Sequence, residues 1–303
     1  MPVYNSPDVF ASIDSVLEQS YRPMQFIIAD DASDNLSGRQ IEEYACGHPM
    51  LRGADLRVIK NETNRGTVAT LNEGLRLVEG EYLFTLAGDD QFADPEALQR
   101  WVDEFERTNA DVITARRNDY DAQMQTLTGV SPGDAVARFL REESPAELFE
   151  RFAGENPISG ACTAWRVSAL RELGGFDESC RLIEDYPLFL RYLRKGGRIA
   201  FFDSVTVNYR AGGGSAEGKA YSDAYVRDME WIFENEIIPY TACPDRARKR
   251  LQRWKADVSF DRRIHAERER NAGKPVRLAL LRVCSDLYHP VRTLRRIRKQ
   301  IKQ

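Results

Sequence analysis

Two apolar segments each run directly into a pair of aspartates: Phe26-Ile27-Ile28-Ala29 into Asp30-Asp31, and Tyr82 through Gly88 into Asp89-Asp90. Apolar runs bounded by turn formers read as buried strands, and the patterns around them have the 3.6-residue period of helices. This alternation points the first half toward a parallel sheet with crossover helices. If the two segments are neighbouring parallel strands, four carboxylates meet at one sheet edge. Carboxylates a few ångströms apart in a partly desolvated crevice must take up protons or hold a cation. The carboxyl edge of such a sheet is also where α/β proteins bind ligands. An acidic rim there suggests a divalent metal with a phosphate-bearing substrate. One Asp pair alone reads as turn formers and helix caps; a second pair in an equivalent place favours a site. Asp34 and Asp94 keep the simpler reading. Asp94-Pro95-Glu96 before Leu98, Trp101, Val102 and Phe105 predicts N-cap, N1 proline and helix.

The remaining spacing predicts a helix from Ser6-Pro7 through Val9, Ile13, Val16 and Leu17, and a weaker one marked by Ile41 and Tyr44. A strand follows at 56–59, then a helix from Gly66 through Val68, Leu71, Leu75 and Leu77 to near Gly80, and a short strand at 112–114. Residues 119–145 are polar and read as loop with some helix. Beyond them come a strand at 161–165, a helix closed by Gly174-Gly175, and a helix from Glu184 through Leu188, Leu190 and Leu193 to Gly196-Gly197. Two strands at 199–202 and 205–209 precede Gly212-Gly213-Gly214, and the pattern is helical from Tyr221 onward.

No run approaches the roughly 18 apolar residues of a membrane span, and no basic-then-apolar leader is visible, so the expected location is cytoplasmic. Cys46, Cys162, Cys180, Cys243 and Cys284 are scattered without a C-x-x-C pair, and His48, His265 and His289 are far apart. A metal should therefore be a hard cation on oxygen ligands. The net charge of −4 conceals an asymmetry. From Pro244 onward there are 19 basic and 6 acidic residues; the preceding 243 residues hold 24 and 41. An acidic body carries a basic tail. No G-x-G-x-x-G follows the first strand position, which disfavours a nucleotide-dependent dehydrogenase.

Six motifs occur in an order that resembles family 2 glycosyltransferases: Met1-Pro2-Val3-Tyr4-Asn5; Asp30-Asp31-Ala32-Ser33; Asn64-Arg65-Gly66 with Asn72-Glu73-Gly74; Gly80-Glu81-Tyr82 with Asp89-Asp90; Gly174-Gly175-Phe176-Asp177-Glu178; and Glu184-Asp185. The resemblance covers roughly Met1 to Ser215. It implies an α/β fold of GT-A type, a nucleotide-binding mixed sheet flanked by helices, followed here by a C-terminal helical extension. The division it suggests is a transferase domain over 1–218, with a nucleotide-sugar half over about 1–118 and an acceptor half over about 119–218, and a basic extension over 219–303.

By position, the resemblance makes Pro2, Tyr4 and Asp31 the nucleobase pocket, with Asp30 beside it. Asn64 and Gly66 belong to the same donor site, Asp89 is the ribose-binding acid, and Asp90 is the ligand of a Mg²⁺ or Mn²⁺ that bridges the diphosphate. Asp185 is the general base. The segment 156–160, Trp165 and the 175–178 turn lie where the family builds its acceptor site, and Arg210 with Gly212 to Gly214 forms either a lid on the diphosphate or an ordinary loop. Glu184 either raises the base's pKa by like-charge repulsion or caps the following helix, and the cap is favoured. The expected enzyme is an inverting, metal-dependent hexosyltransferase. It would use a nucleotide-diphospho-sugar, with uridine as the implied base, and a saccharide or lipid-linked acceptor in cell-envelope polysaccharide or glycolipid synthesis.

Three departures stand out. Ala87 and Leu71 occupy positions where many relatives have Asp and Arg, and the family normally has an apolar strand before Pro-Val-Tyr-Asn, so Met1 reads as an internal methionine or misassigned start. A non-catalytic nucleotide-sugar-binding or partner-binding protein of the same fold is the alternative. The tail, Lys274 to Gln303, carries nine basic residues and one acid beside Val276, Leu280, Leu281, Val283, Leu287 and Tyr288. Such a segment either lies on an anionic membrane surface, peripheral at the inner face, or packs on the acidic body or another subunit. Nucleic acid is not expected, because the acidic body would repel it.

Overall fold

The computed structural model describes residues 1–6, 8–34, 38–212, 221–272 and 275–288. In chain order, β1 (Pro2–Val3), α1 (Val9–Leu17), β2 (Met24–Asp30), α2 (Gly38–Gly47), β3 (Ala54–Lys60), α3 (Thr67–Arg76) and β4 (Tyr82–Phe84) form the first part. Next come β5 (Gln91–Phe92), α4 (Ala97–Thr108), β6 (Val112–Tyr120), β7 (Leu127–Ser131), α5 (Asp134–Glu142), α6 (Pro145–Gly154), β8 (Thr163–Arg166), α7 (Val167–Glu172), α8 (Asp185–Arg194) and β9 (Ile199–Arg210). The carboxyl-terminal part is helical: α9 (Asp223–Ile232), a π-helical turn (Phe233–Ile237), α10 (Pro244–Arg270) and α11 (Pro275–Tyr288).

β1, β2 and β3 pair in parallel in that order. A second, mixed sheet has the order β4-β8-β6-β9-β5, with β7 as a hairpin on β6. The Gly88 amide donates to Pro2 O at 3.0 Å, which stitches the two together at the sheet centre. This is the mixed sheet flanked by helices that the resemblance implied. Val9, Ile13, Val16 and Leu17 are all buried, so the 3.6-residue spacing located the inward face of α1. α4 is fixed by Trp101 and Phe105, which bury against Tyr82, Phe84 and Phe202 at ring separations of 4.4 to 5.8 Å.

Four local expectations change. α4 begins after Glu96, because the Asp94 carboxylate is drawn to Arg100 at 2.7 and 2.8 Å while also accepting from the Glu96 amide at 3.0 Å. The strand expected over Tyr82 to Gly88 is assigned only over Tyr82–Phe84. The polar stretch from Asp119 is mostly regular: β6 extends to Tyr120, β7 pairs with it, and α5 follows. Residues 199–209 form one strand, whose register shifts against β6 absorb the interruption at 203–204. Pro7, Gly213 and Gly214 lie outside the described residues.

Candidate active site

Two cavities flank the central sheet. One of about 280 Å³, between β2 and β4, is lined chiefly by apolar side chains such as Ile27, Leu75, Val78 and Leu83. The other, about 880 Å³, is a cleft containing Asp89, Asp90, Glu184 and Asp185. The paired carboxylates place the chemistry in the second.

Asp89 and Asp90 follow the extended segment that pairs with β1 at Gly88. The end of β9 closes over them: the Arg210 amide donates to Asp90 Oδ1 at 2.9 Å, and its Nε donates to Asp89 O at 3.1 Å. The same guanidinium reaches Asp8 at 3.1 Å and Ala122 O at 2.7 Å, which anchors Arg210 at the end of β9. Asp90 is 2% exposed; burial, and then the charge of Asp89, push its carboxyl up to about 7. Burial raises Asp89 as well. Arg117 lines the same end of the cleft, held by Asp119 at 2.9 Å, by Ser159 Oγ at 2.7 Å and over the Tyr209 ring at 3.7 Å.

Further along the cleft, α8 begins at Asp185. Its Oδ2 accepts from the Gly160 amide at 2.8 Å and the Asn156 side chain at 3.4 Å. A side chain at Gly160 would meet Glu184 Oε1 at 3.0 Å and Asp185 Cβ at 3.1 Å, so this close approach favours glycine. Glu184 has helical backbone angles and makes no side-chain cap bond, which overturns the expectation that it caps α8. Burial and the charge of Asp185 instead raise its carboxyl well above the ordinary range. Burial raises Asp185 too, but the Gly160, Tyr186 and Asn156 donors oppose that rise. With more donors on Asp185, a proton shared by the pair is favoured on Glu184.

The other expected site residues are dispersed. Asp31 is 4% exposed and its carboxylate accepts from the Asn61 side chain and the Arg65 and Gly66 amides at 2.8 to 2.9 Å, so it fixes the 64–66 loop. Asp30 accepts from the Ser33 amide at 3.0 Å and lies 3.3 Å from Lys60. The four aspartates therefore do not share one cluster, and among the described residues no group of three or more metal-capable side chains gathers. Asn64 is taken up by the Arg181 guanidinium, and Gly66, at φ +92°, lies so close to Arg181 that a Cβ would fall 2.6 Å from its carbonyl oxygen. Pro2 lines the cleft, and Tyr4 is exposed. Trp165 is not an acceptor-site residue here: it is 4% exposed, stacked on Phe189 and edge-on to Tyr192 in the core.

Local sequence patterns gave no sign of Arg117, nor of Asp228. The latter is a buried α9 carboxylate that accepts from the amides of Arg181, Leu182 and Ile183 at 2.6 to 3.1 Å, just before the Glu184–Asp185 pair. Arg250 and Trp254 of α10 also line the cleft.

The sheet order and the acidic cleft define a glycosyltransferase fold of GT-A type. The family model described as Glycosyl transferase family 2 matches residues 1–174, and the chain belongs to that family. It is similar to the uncharacterized glycosyltransferase EpsJ of Bacillus subtilis, 27% identical over 246 residues that are 79% of this chain and 68% of that protein. The glycosyltransferase GlyG of Streptococcus pneumoniae is 22% identical over 242 residues, 78% of each chain. Among solved structures, S. aureus TarS 1-349 in complex with UDP superposes with a TM-score of 0.56 at 18% identity over 82% of this chain and 68% of that one. The mannosyltransferase PcManGT from Pyrobaculum calidifontis, in complex with GDP-Man and Mn2+, gives 0.56 at 17% identity over 97% and 81%.

Proposed function

We propose that this protein is an inverting glycosyltransferase that moves a hexosyl group from a nucleoside-diphospho-sugar, with uridine as base, to an acceptor hydroxyl, with Asp185 as general base. The observation that carries the proposal is the shared cleft: a carboxylate held by Gly160 and Asn156 opens into the same space as the Asp89–Asp90 pair. A sugar hydroxyl is a poor nucleophile, and a carboxylate within reach takes its proton as attack proceeds. The other end of the cleft serves the leaving group. Asp89 meets the ribose, and Arg117 faces the charge that grows on the diphosphate.

Two adjacent, desolvated carboxylates, one raised to about 7, suit a hard divalent cation that takes its remaining ligands from water and phosphate. Asp90 would hold Mg²⁺ or Mn²⁺, which when bound neutralises charge on the departing diphosphate. Pro2 and Tyr4 border the base, while Asp31, Asn64 and Gly66 act through the loop they fix. The donor half spans about 1–118, the acceptor half about 119–218 and the extension 219–303.

The acceptor is a saccharide or lipid-linked saccharide of the cell envelope. Supporting a peripheral membrane contact, Leu280 and Val283 are exposed on α11 beside an exposed Arg277, and no helix of the described residues is long and apolar enough to cross a membrane. The basic cluster from Arg292 lies outside the described residues.

The test is turnover across a nucleotide-sugar panel with Mn²⁺ or Mg²⁺. Wild type should turn over one donor, and Asp185→Asn should lose about 10²- to 10⁴-fold while the donor still raises its melting temperature. Donor binding without turnover in wild type would make the protein a non-catalytic binder instead.

A further inference from the structure

Beyond Asp185 the cleft does not end at the family-matched residues but continues along α10. Ala247, Leu251 and Val258 form the buried stripe that docks this helix on the body. Arg250, Arg253 and Asp257 recur at intervals of three and four, and so form a neighbouring stripe along the cleft wall, with Arg246 one turn before them. Trp254 lies at the seam between the two. It is half-buried, 6.4 Å from the Tyr221 ring, which itself stacks on Tyr225 at 5.4 Å. Tyr225, Trp254 and Asp185 all line the same cleft, so the aromatic wall and the proposed base face one space.

Arg250 is fixed by its bond to Ala153 O and by stacking over Phe233 at 4.9 Å. Among the described residues Arg253 and Asp257 have no ion-pair or hydrogen-bond partner, although both line the cleft. The wall then runs into a further cavity of about 420 Å³ that shares Gly154, Glu155 and Arg250 with the cleft and adds Arg246, Glu150 and Thr241.

We infer that α10 supplies an outer acceptor subsite for an oligosaccharide, with Trp254 stacking the sugar ring adjacent to the one whose hydroxyl meets Asp185. The inference rests on the glycosyl transfer proposed above. One face of a pyranose presents polarised C–H groups that fit the negative face of an indole ring. Planar guanidinium and carboxylate groups beside it donate to and accept from ring hydroxyls in pairs. A lipid chain would need a continuous apolar lining, whereas this wall alternates aromatic and charged side chains. Extra binding energy from the second ring would be available to hold the reacting hydroxyl against Asp185.

The experiment is transfer kinetics with the donor identified from the panel and mono-, di- and tetrasaccharides of the glucose, N-acetylglucosamine and chondroitin series as acceptors. In wild type, acceptor KM should fall at least tenfold from mono- to tetrasaccharide in one series. In Trp254→Ala that dependence should vanish, with donor KM not following, and in Trp254→Phe part of it should return. Melting curves identify any variant that fails to fold, and Trp254→Phe then carries the comparison. Equal length dependence in wild type and both variants overturns the subsite. So does turnover of donor with no saccharide of any series accepted. Absence of all turnover in wild type overturns instead the transferase reading on which the subsite rests.

Discussion

At the scale of single residues, the site depends on how two adjacent acids share their charge. Glu184→Gln reproduces the protonated partner, so the acid limb of the pH–rate profile, set by Asp185, should stay in place and activity near neutrality should remain within about threefold. Were Glu184 the base, the same change would cost about 10²- to 10⁴-fold. Asp90 gives a second test through stability. Its folded carboxyl, at about 7, lies above the ordinary 3.8, so the folded state binds the proton more tightly than the unfolded chain. Its contribution therefore falls as pH rises from about 4 to about 7 and is flat above that. Thermal melting without divalent cations should show this decline, and Mn²⁺ at pH 8 should restore stability. Asp90→Asn should be more stable than wild type at pH 8 without metal and gain little from Mn²⁺.

These proposed roles were only partly legible in the sequence. Asp185 and Asp90 stand in motifs, but whether a motif residue faces a cleft or braces a loop depends on partners far along the chain. Asp31 was expected in a pocket and instead braces amides 34 and 35 residues away; Trp165 was expected at the acceptor and instead fills the core.

Among the elements, the decisive feature is the loop before α8. One Asp228 carboxylate gathers three consecutive amides, and the Arg181 side chain reaches across to the Asn64 and Arg65 carbonyls. The loop fixed by Asp31 and the segment leading to Asp185 thus share one brace. In Asp228→Asn an amide group faces backbone donors, leaving buried N–H groups poorly satisfied, at a cost of about 2 kcal/mol. Calorimetry should record a lower melting temperature, and kcat should fall about tenfold or more as the base loses its placement. Unchanged melting and kcat would show the brace to be dispensable.

Helix positions with a clear apolar period, such as α1 and α3, were readable because burial imposes that period. β7, whose side chains are mostly exposed, carried too little of the period-two signal to be seen against a polar loop.

Across the whole molecule, the acidic body and basic extension are not independent pieces. α10 belongs by composition to the basic extension, yet it closes the cleft that holds Asp185. Composition did not reveal this packing, since charge counts say nothing about which face of a helix docks. The cleft keeps the Asp89–Asp90 pair and the Glu184–Asp185 pair apart, and the proposed roles of the two pairs call for one direct displacement at the anomeric carbon. The most direct measurement is the configuration of the sugar first released from an α-linked nucleoside-diphospho-sugar. Proton NMR of the early products of the wild-type enzyme with Mn²⁺ should show the β anomer. Initial appearance of the α anomer would contradict a single displacement assisted by Asp185.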